Sequence, residues 1–391
     1  MPDQQSQRKE NPDYLSEQLI TYIGNKRSLL SFISGGLDIV RTNLGKRRLS
    51  TFDVFSGSGV VSRMMKRFSS TQYANDMEDY ARIISTCYLS NKKDLDIPLL
   101  EKTYSELETK TQKMTLSFLS EDGTRFKRKL PGFISEYYAP RDMNGISPGE
   151  RCFYTPYNAC YIDCMRQCIS ELPADLQPFF IAPLLSEASV HANTGGVFKG
   201  FYKNSRTGVG KFGGNGENAL TRILGRISLP FPVFSRYNSR SVITQGDANT
   251  IAASGKIPAV DVAYIDPPYN QHPYGSNYFM LNLIANYEKP SPEEMSRVSG
   301  IPRGWNRSSY NRRRAAKDTF RDLTQNLDAR YLLVSFNNEG FISEDEMTSI
   351  LSETGDVKVL ESDYNAYRAS RNLSARSIHT REFLYVVKKR R

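Results

Sequence analysis

The chain has 391 residues, 39% of them hydrophobic and 24% charged, with a formal net charge of +10. That length predicts two lobes, and the lack of an uninterrupted apolar run of about 18 residues argues against a membrane helix. A cation excess of this size favours a polyanionic partner, although many basic proteins bind none.

Met1–Asp13 is polar and lacks the apolar centre of a signal peptide, so it is expected to be a mobile tail. Five cysteines are too few for a disulfide framework, and without an export signal they are expected as reduced thiols in a cytoplasmic setting. Next, Tyr22-Ile23-Gly24-Asn25-Lys26-Arg27 sets an aromatic, a glycine and two cations before the first strand. Lys26 could pair with a ligand carboxylate, or simply begin a solvated helix. Leu49–Phe55 is β-rich and ends in Ser56-Gly57-Ser58-Gly59, after which Val60–Phe68 has helical spacing. This is a strand, a glycine turn and a helix, with Asp53, Phe55, Gly57 and Gly59 at the bend.

Ser62 stands where a GxGxxG fingerprint would end, which weakens a pyrophosphate reading. A short strand around Gln72–Ala74 runs into Asn75-Asp76, and a helix is expected across Asp79–Leu89. Asp76 could accept both ribose hydroxyl hydrogens, or cap the helix. Gly57, Gly59 and Asp76 together describe a pocket for a nucleoside with no phosphate to cradle, which suits S-adenosyl-L-methionine better than NAD or ATP.

From Asn91 to Leu229 the texture changes to scattered glycines, prolines, polar turns and aromatics, read as a separate inserted lobe. Within it Cys160, Cys164 and Cys168 recur at i, i+4 and i+8, and the spacing reads as a buried small-residue stripe. No metal site is expected, because neither a CxxC nor a histidine pair is present. His191 has no paired acid in the sequence and is read as structural or DNA-proximal. Regular α/β texture resumes at Ser241–Gln245. Val260–Ile265 and Tyr331–Phe336 are apolar runs of the kind covered on both faces in a parallel sheet, while Val357–Leu360 and Phe383–Val387 read as an antiparallel edge pair. The expected fold is α/β, a Rossmann-like sheet with an inserted lobe. Its parts are a tail at 1–13, a cofactor-binding part at 14–90, the insertion at 91–229 and a catalytic part at 230–391.

Asp266-Pro267-Pro268-Tyr269 follows directly on the Val260–Ile265 strand. The two prolines stiffen the backbone and leave carbonyls without competing N–H donors. A ring-conjugated amine is a poor nucleophile because its lone pair is delocalised. If the Asp266 carboxylate and the Pro267 carbonyl each accept one amine hydrogen, the nitrogen can pyramidalise and aim its lone pair at a methyl donor. Tyr269 offers a face for stacking a heterocycle turned out of a duplex. Farther on, Arg303–Lys317 carries Arg303, Arg307, Arg312, Arg313 and Arg314, no acid, and the single tryptophan, a composition suited to phosphate contact.

These segments resemble the Dam-type family of N6-adenine DNA methyltransferases, particularly its type II restriction-modification members. The resemblance rests on Tyr22–Lys26, Asp53–Gly59, Asp76, Gly246-Asp247, Asp266–Tyr269, His191–Lys203, Asn270–Tyr287 and Ser335–Gly340. It implies a Rossmann-like S-adenosylmethionine-dependent methyltransferase sheet, with Tyr22, Gly24, Lys26, Asp53, Phe55, Gly57, Gly59, Asp76 and Asp247 at the cofactor. It also implies Asp266–Tyr269 at the reacting amine and a target-recognition lobe in the insertion. Lys199, Lys203 and the arginines of 303–314 are expected on duplex DNA. The chain is expected to act as a monomer, with a cognate restriction endonuclease acting separately. Methylation of RNA adenine or of a protein amide remains an alternative, because related tetrapeptides handle any planar amine, and so does a catalytically silent DNA-binding regulator.

Overall fold

The structure is a computed structural model that describes residues 9–127, 129–214, 219–337, 340–365 and 379–390. Seven strands form one sheet: β1 (Leu49–Asp53), β2 (Ser69–Asp76), β3 (Arg240–Gln245), β4 (Val260–Ile265), β5 (Ala329–Asn337), β6 (Gly355–Asn365) and β7 (His379–Lys389). Their spatial order is β3-β2-β1-β4-β5-β7-β6. The first five run parallel, while β7 lies antiparallel between β5 and β6. The expected edge pair is found, with Val357 opposite Val387 and Leu360 opposite Leu384.

The apolar runs of β4 and β5 follow from cover on both faces. On one side Ala263, Ile265, Leu332 and Val334 pack with Phe320, Leu323, Met347 and Ile350. On the other side Val262, Tyr264, Tyr331 and Leu333 meet Ile33, Leu37, Val61 and Met64. The helices involved are α1 (Pro12–Ser16), α2 (Leu30–Asn43), α3 (Val60–Met65), α4 (Asp79–Tyr88), α5 (Ile97–Phe118), α6 (Phe133–Tyr138), α7 (Pro156–Ser170), α8 (Gln177–Val190), α9 (Leu220–Leu224), α10 (Ala248–Ala253), α11 (Tyr274–Asn277), α12 (Phe279–Asn286), α13 (Arg313–Asn326) and α14 (Glu344–Thr354). Among the described residues, no helix is long and apolar enough to cross a membrane.

Two expectations are modified. Of the tail at Met1–Asp13, residues 1–8 lie outside the described residues. Glu10, however, accepts hydrogen bonds from Ser235 Oγ and Arg236 N, and Asn11 caps α1. The insertion, expected as a separate lobe, shares its core with α4 and α12. Cys160, Cys164, Phe180 and Leu184 belong to one continuous cluster with Tyr80 and Ile84 of α4 and Phe279 and Met280 of α12. The physical reason is that α7 buries nearly all of its residues and α8 most of them, so both need neighbours on several sides. The cysteine stripe is part of this core.

Two buried charges fasten the insertion. Arg166 donates to the Ile284 and Ala285 carbonyls near the end of α12, a position where cations are favoured. Asp163 accepts from the Ile134 and Ser135 N–H groups at the start of α6 and from the Tyr287 hydroxyl. Removing a charged hydrogen-bonding group costs about 1.5–3 kcal/mol. Arg166→Ala is therefore expected to lower the unfolding free energy by roughly 2–3 kcal/mol, read as a lower midpoint in urea titration.

Candidate active site

β1 and β4 are neighbours at the point where strand order reverses, and Asp53 pairs with Tyr264 in register. A ligand crevice forms beyond strand ends at such a point. The glycine turn and the Asp266–Tyr269 segment therefore line one cleft, with about 830 Å³ of empty space including its open mouth. Tyr22, Gly24, Lys26, Asp53, Phe55, Gly57, Asp76 and Asp266 through Tyr269 all border it.

Gly57 has φ +49°, and a Cβ there would lie 2.9 Å from the Tyr22 ring, so the turn requires glycine both conformationally and sterically. Its N–H donates to Asp76 Oδ2 at 2.7 Å, while Glu78 N donates to Oδ1 at 3.0 Å. Asp76 thus locks the turn, and each of its oxygens keeps further acceptor capacity. Gly59, with φ +74°, stands at the N-cap of α3 outside the cleft lining and supports the turn from behind. Asp53 is buried. Ser62 Oγ donates to its Oδ2, but Oδ1 has no hydrogen-bond partner among the described residues. Burial pushes the Asp53 carboxyl up to about 7, opposed by Ser62. An orphaned carboxylate oxygen in a cleft fits a cationic ligand group.

Lys26 is where expectation and structure part. The sequence offers it to a ligand carboxylate or to the start of a solvated helix, yet its Nζ lies 3.2 Å from Asp266 Oδ1 and 2.9 Å from Glu382 Oε1. Burial opposes its charge, but these two carboxylates outweigh it and hold the pKa well above the usual lysine value. Burial raises Asp266 to about 6, with Lys26 opposing and Glu382 adding to the rise. The Tyr269 ring meets Phe336 edge-on at 5.8 Å, and Phe341 N donates to the Tyr269 carbonyl. Of the Ser335–Gly340 stretch, Asn338 and Glu339 lie outside the described residues.

Asp247 is expected at the cofactor. It does not line the cleft, and its carboxylate accepts from Thr250 N as the N-cap of α10, the use that a short acid before a helix most often has. His191 does find an acid: Nε2 lies 3.3 Å from Glu187, and Nδ1 meets the Arg222 carbonyl. That arrangement is structural.

The cations expected on DNA are all exposed: Lys199, Lys203, Arg303, Arg307, Arg312, Arg313 and Arg314. Arg307 stacks on Trp305 and Arg313 on Phe341. Lys199 is close enough to help depress the His272 pKa, after burial, which places it by the segment following Tyr269. The 303–314 loop also roofs the cleft. Asn306 Nδ2 donates to the Met77 carbonyl and Glu78 Oε2, and Asn311 Nδ2 donates to the Asn270 carbonyl.

Several site residues carried no sequence signal. Glu382 enters from β7. Glu78 is pushed up to about 7 by burial, opposed by the amides of Asn282 and Asn306. Tyr274 and Tyr278 stack on Tyr22 at 4.9 and 4.8 Å, and their hydroxyls clamp the Ile23 peptide. Only the spacing of tyrosines after Asp266–Tyr269 could have pointed to that clamp.

The profile of the D12 class N6 adenine-specific DNA methyltransferases matches residues 22–206 and 238–350. The type II methyltransferase M.CviAII of Paramecium bursaria Chlorella virus 1 is 27% identical over 378 residues, 94% of this chain and 98% of that protein. The type II methyltransferase M.NlaIII of Neisseria lactamica is 27% identical over 381 residues, covering 95% and 99%. The modification methylase StsI of Streptococcus sanguinis is 26% identical over 365 residues, 90% of this chain but 49% of its own length.

The charge cluster has a pH signature. With Lys26→Met, the buried Asp266 loses the cation that opposes its rise while the burial and Glu382 remain, so its pKa in the folded state rises further. An acid whose folded pKa is raised destabilises the fold as pH climbs from the unfolded value to the folded one. The Lys26→Met chain is therefore expected to unfold at lower urea than the parent at pH 8, with the deficit shrinking toward pH 5.

Proposed function

Because this chain belongs to the D12 class of N6 adenine-specific DNA methyltransferases, we propose that its cleft takes S-adenosylmethionine and that Asp266–Tyr269 present a flipped adenine to it. One observation carries this reading: Asp266–Tyr269 opens into the same cleft as the glycine turn and Asp76. The residues fit the donor. Asp53, with its orphaned Oδ1, suits the α-ammonium, Asp76 the ribose hydroxyls, and Phe55 and Met77 give apolar walls to the purine. Bound there, the donor supplies a sulfonium methyl group, which adenine N6 accepts as the carbon–sulfur bond breaks with its electrons left on sulfur.

The protein's part is placement and electrostatics. Lys26 occupies Asp266 Oδ1, which assigns one N6 hydrogen to Oδ2 and the other to the Pro267 carbonyl, while Pro268 stiffens the turn. With both hydrogens held, the lone pair leaves conjugation with the ring. Tyr269, braced by Phe336, stacks on the base. As N6 gains its fourth bond it becomes positively charged, and its surplus proton leaves by way of Asp266 to water. Lys199, Lys203, Arg303, Arg307 and Arg312–Arg314 hold the duplex by its phosphates. The type II and modification-methylase names of the relatives support a role in restriction-modification, with the endonuclease a separate protein.

Labelled methyl incorporation into duplex DNA, RNA and protein in parallel tests the reading. Label is expected in DNA adenine alone, and Asp266→Ala is expected to lower the rate by at least about a hundredfold. Label in RNA or protein with none in DNA would overturn it. Donor affinity should also follow Asp53. Its carboxyl sits near 7 in the free protein and must be ionised to meet an ammonium. Calorimetry is thus expected to show affinity falling about tenfold for each pH unit below 7, with proton release on binding.

A further inference from the structure

We infer that Glu382 is a positioning residue for methyl transfer, one that holds Lys26 against Asp266 and sets the charge of the group facing adenine. The inference rests on the function proposed above. Glu382 lies on β7, opposite Asn337 of β5, and is fully buried. Ser335 Oγ donates to its Oε1 at 2.6 Å, and the same oxygen is 2.9 Å from Lys26 Nζ. Its Oε2 has no hydrogen-bond partner among the described residues. A half-satisfied buried carboxylate is a poor stabilising element, because apolar groups of similar volume are often equal or better. Its placement beside Lys26 points to another use.

The charges supply that use. Lys26 bridges two carboxylates, so the group carries one net negative charge. With Lys26 and Asp266 alone it would be a neutral pair. The N6 nitrogen acquires positive charge as its bond to the methyl carbon forms, and a net negative neighbour in a buried site stabilises that charge far better than a neutral one. Glu382 touches neither adenine nor donor in this scheme and acts through Lys26. The other groups facing Asp266 are Asp53 on β1, Tyr264 on β4, and Tyr269 and Tyr274 beyond it. All three tyrosines have raised pKa values, which leaves Asp53 as the neighbour that titrates near neutrality.

The test uses the full chain, with Glu382→Gln and Glu382→Asp beside wild type, and kcat followed from pH 5.5 to 9 at saturating donor so that Asp53 is already paired. For Glu382→Gln, kcat is expected to fall tenfold or more while KM for DNA and for donor stays within twofold. Removing a negative neighbour should also move the acid limb set by Asp266 to lower pH, and Glu382→Asp should restore part of the rate. A kcat within twofold of wild type, or a lower kcat with the acid limb unmoved, overturns the inference. Should Glu382→Gln fail to fold, Glu382→Asp carries the test alone: its shorter side chain draws the carboxylate back from Lys26, so kcat is expected to fall several-fold with both KM values within twofold, and a kcat equal to wild type overturns the inference. Wild type inactive on DNA would sink the function itself, whereas active wild type with an equally active Glu382→Gln sinks only the role of Glu382.

Discussion

The parallel pairing of β1 with β4 is the contact on which the site depends. Residues 51–53 run beside residues 262–264, although the whole insertion lies between them in sequence. Because the strands point the same way, both carboxyl ends open on one side, and the chain must turn away from both there. The turn after β1 is built on Gly57 and Gly59, and the turn after β4 on two prolines. One lets backbone approach a ligand closely, and the other fixes carbonyls that cannot wander. Had either strand been reversed, the same residues would lie at opposite edges of the sheet.

The insertion fills the chain between the two strands. It packs on α4 and α12, which flank the cleft, and its buried Arg166 and Asp163 tie helix ends to one another. The insertion is therefore continuous with the layer that borders the cleft. A rigid join of this kind favours precision of placement over freedom to swing, and methyl transfer to a conjugated amine needs the former.

Much of this was legible in the sequence because it is local. Five consecutive features announced themselves: an apolar run, a glycine turn, an acid after a short strand, a second apolar run and the Asp-Pro-Pro-Tyr segment. What stayed hidden was relational. Glu382 is a charged residue in a sequence of strand composition, and only the pairing of β7 with β5 reveals that it points at Lys26. Lys26 itself looked like a cation waiting for a ligand, since no local pattern marks a lysine that two acids from distant strands will claim. Asp247 caps α10, a use that its place after a strand and before a helix leaves open. The insertion looked irregular because α7 and α8 are buried all round and so show little of the one-sided periodicity that identifies a surface helix.

The position of β7 has a consequence for how the molecule is made. Among the described residues it is the last strand in sequence, yet it sits inside the sheet between β5 and β6. Until residues 379–389 emerge from the ribosome, β5 presents an unpaired edge, of the kind that recruits other chains, and β6 has no neighbour. The same late strand delivers Glu382 to a cluster whose other members, Lys26 and Asp266, were synthesised long before. Completion of the sheet and completion of the site's charge balance are therefore a single event in time, and a nascent chain lacking that strand has neither.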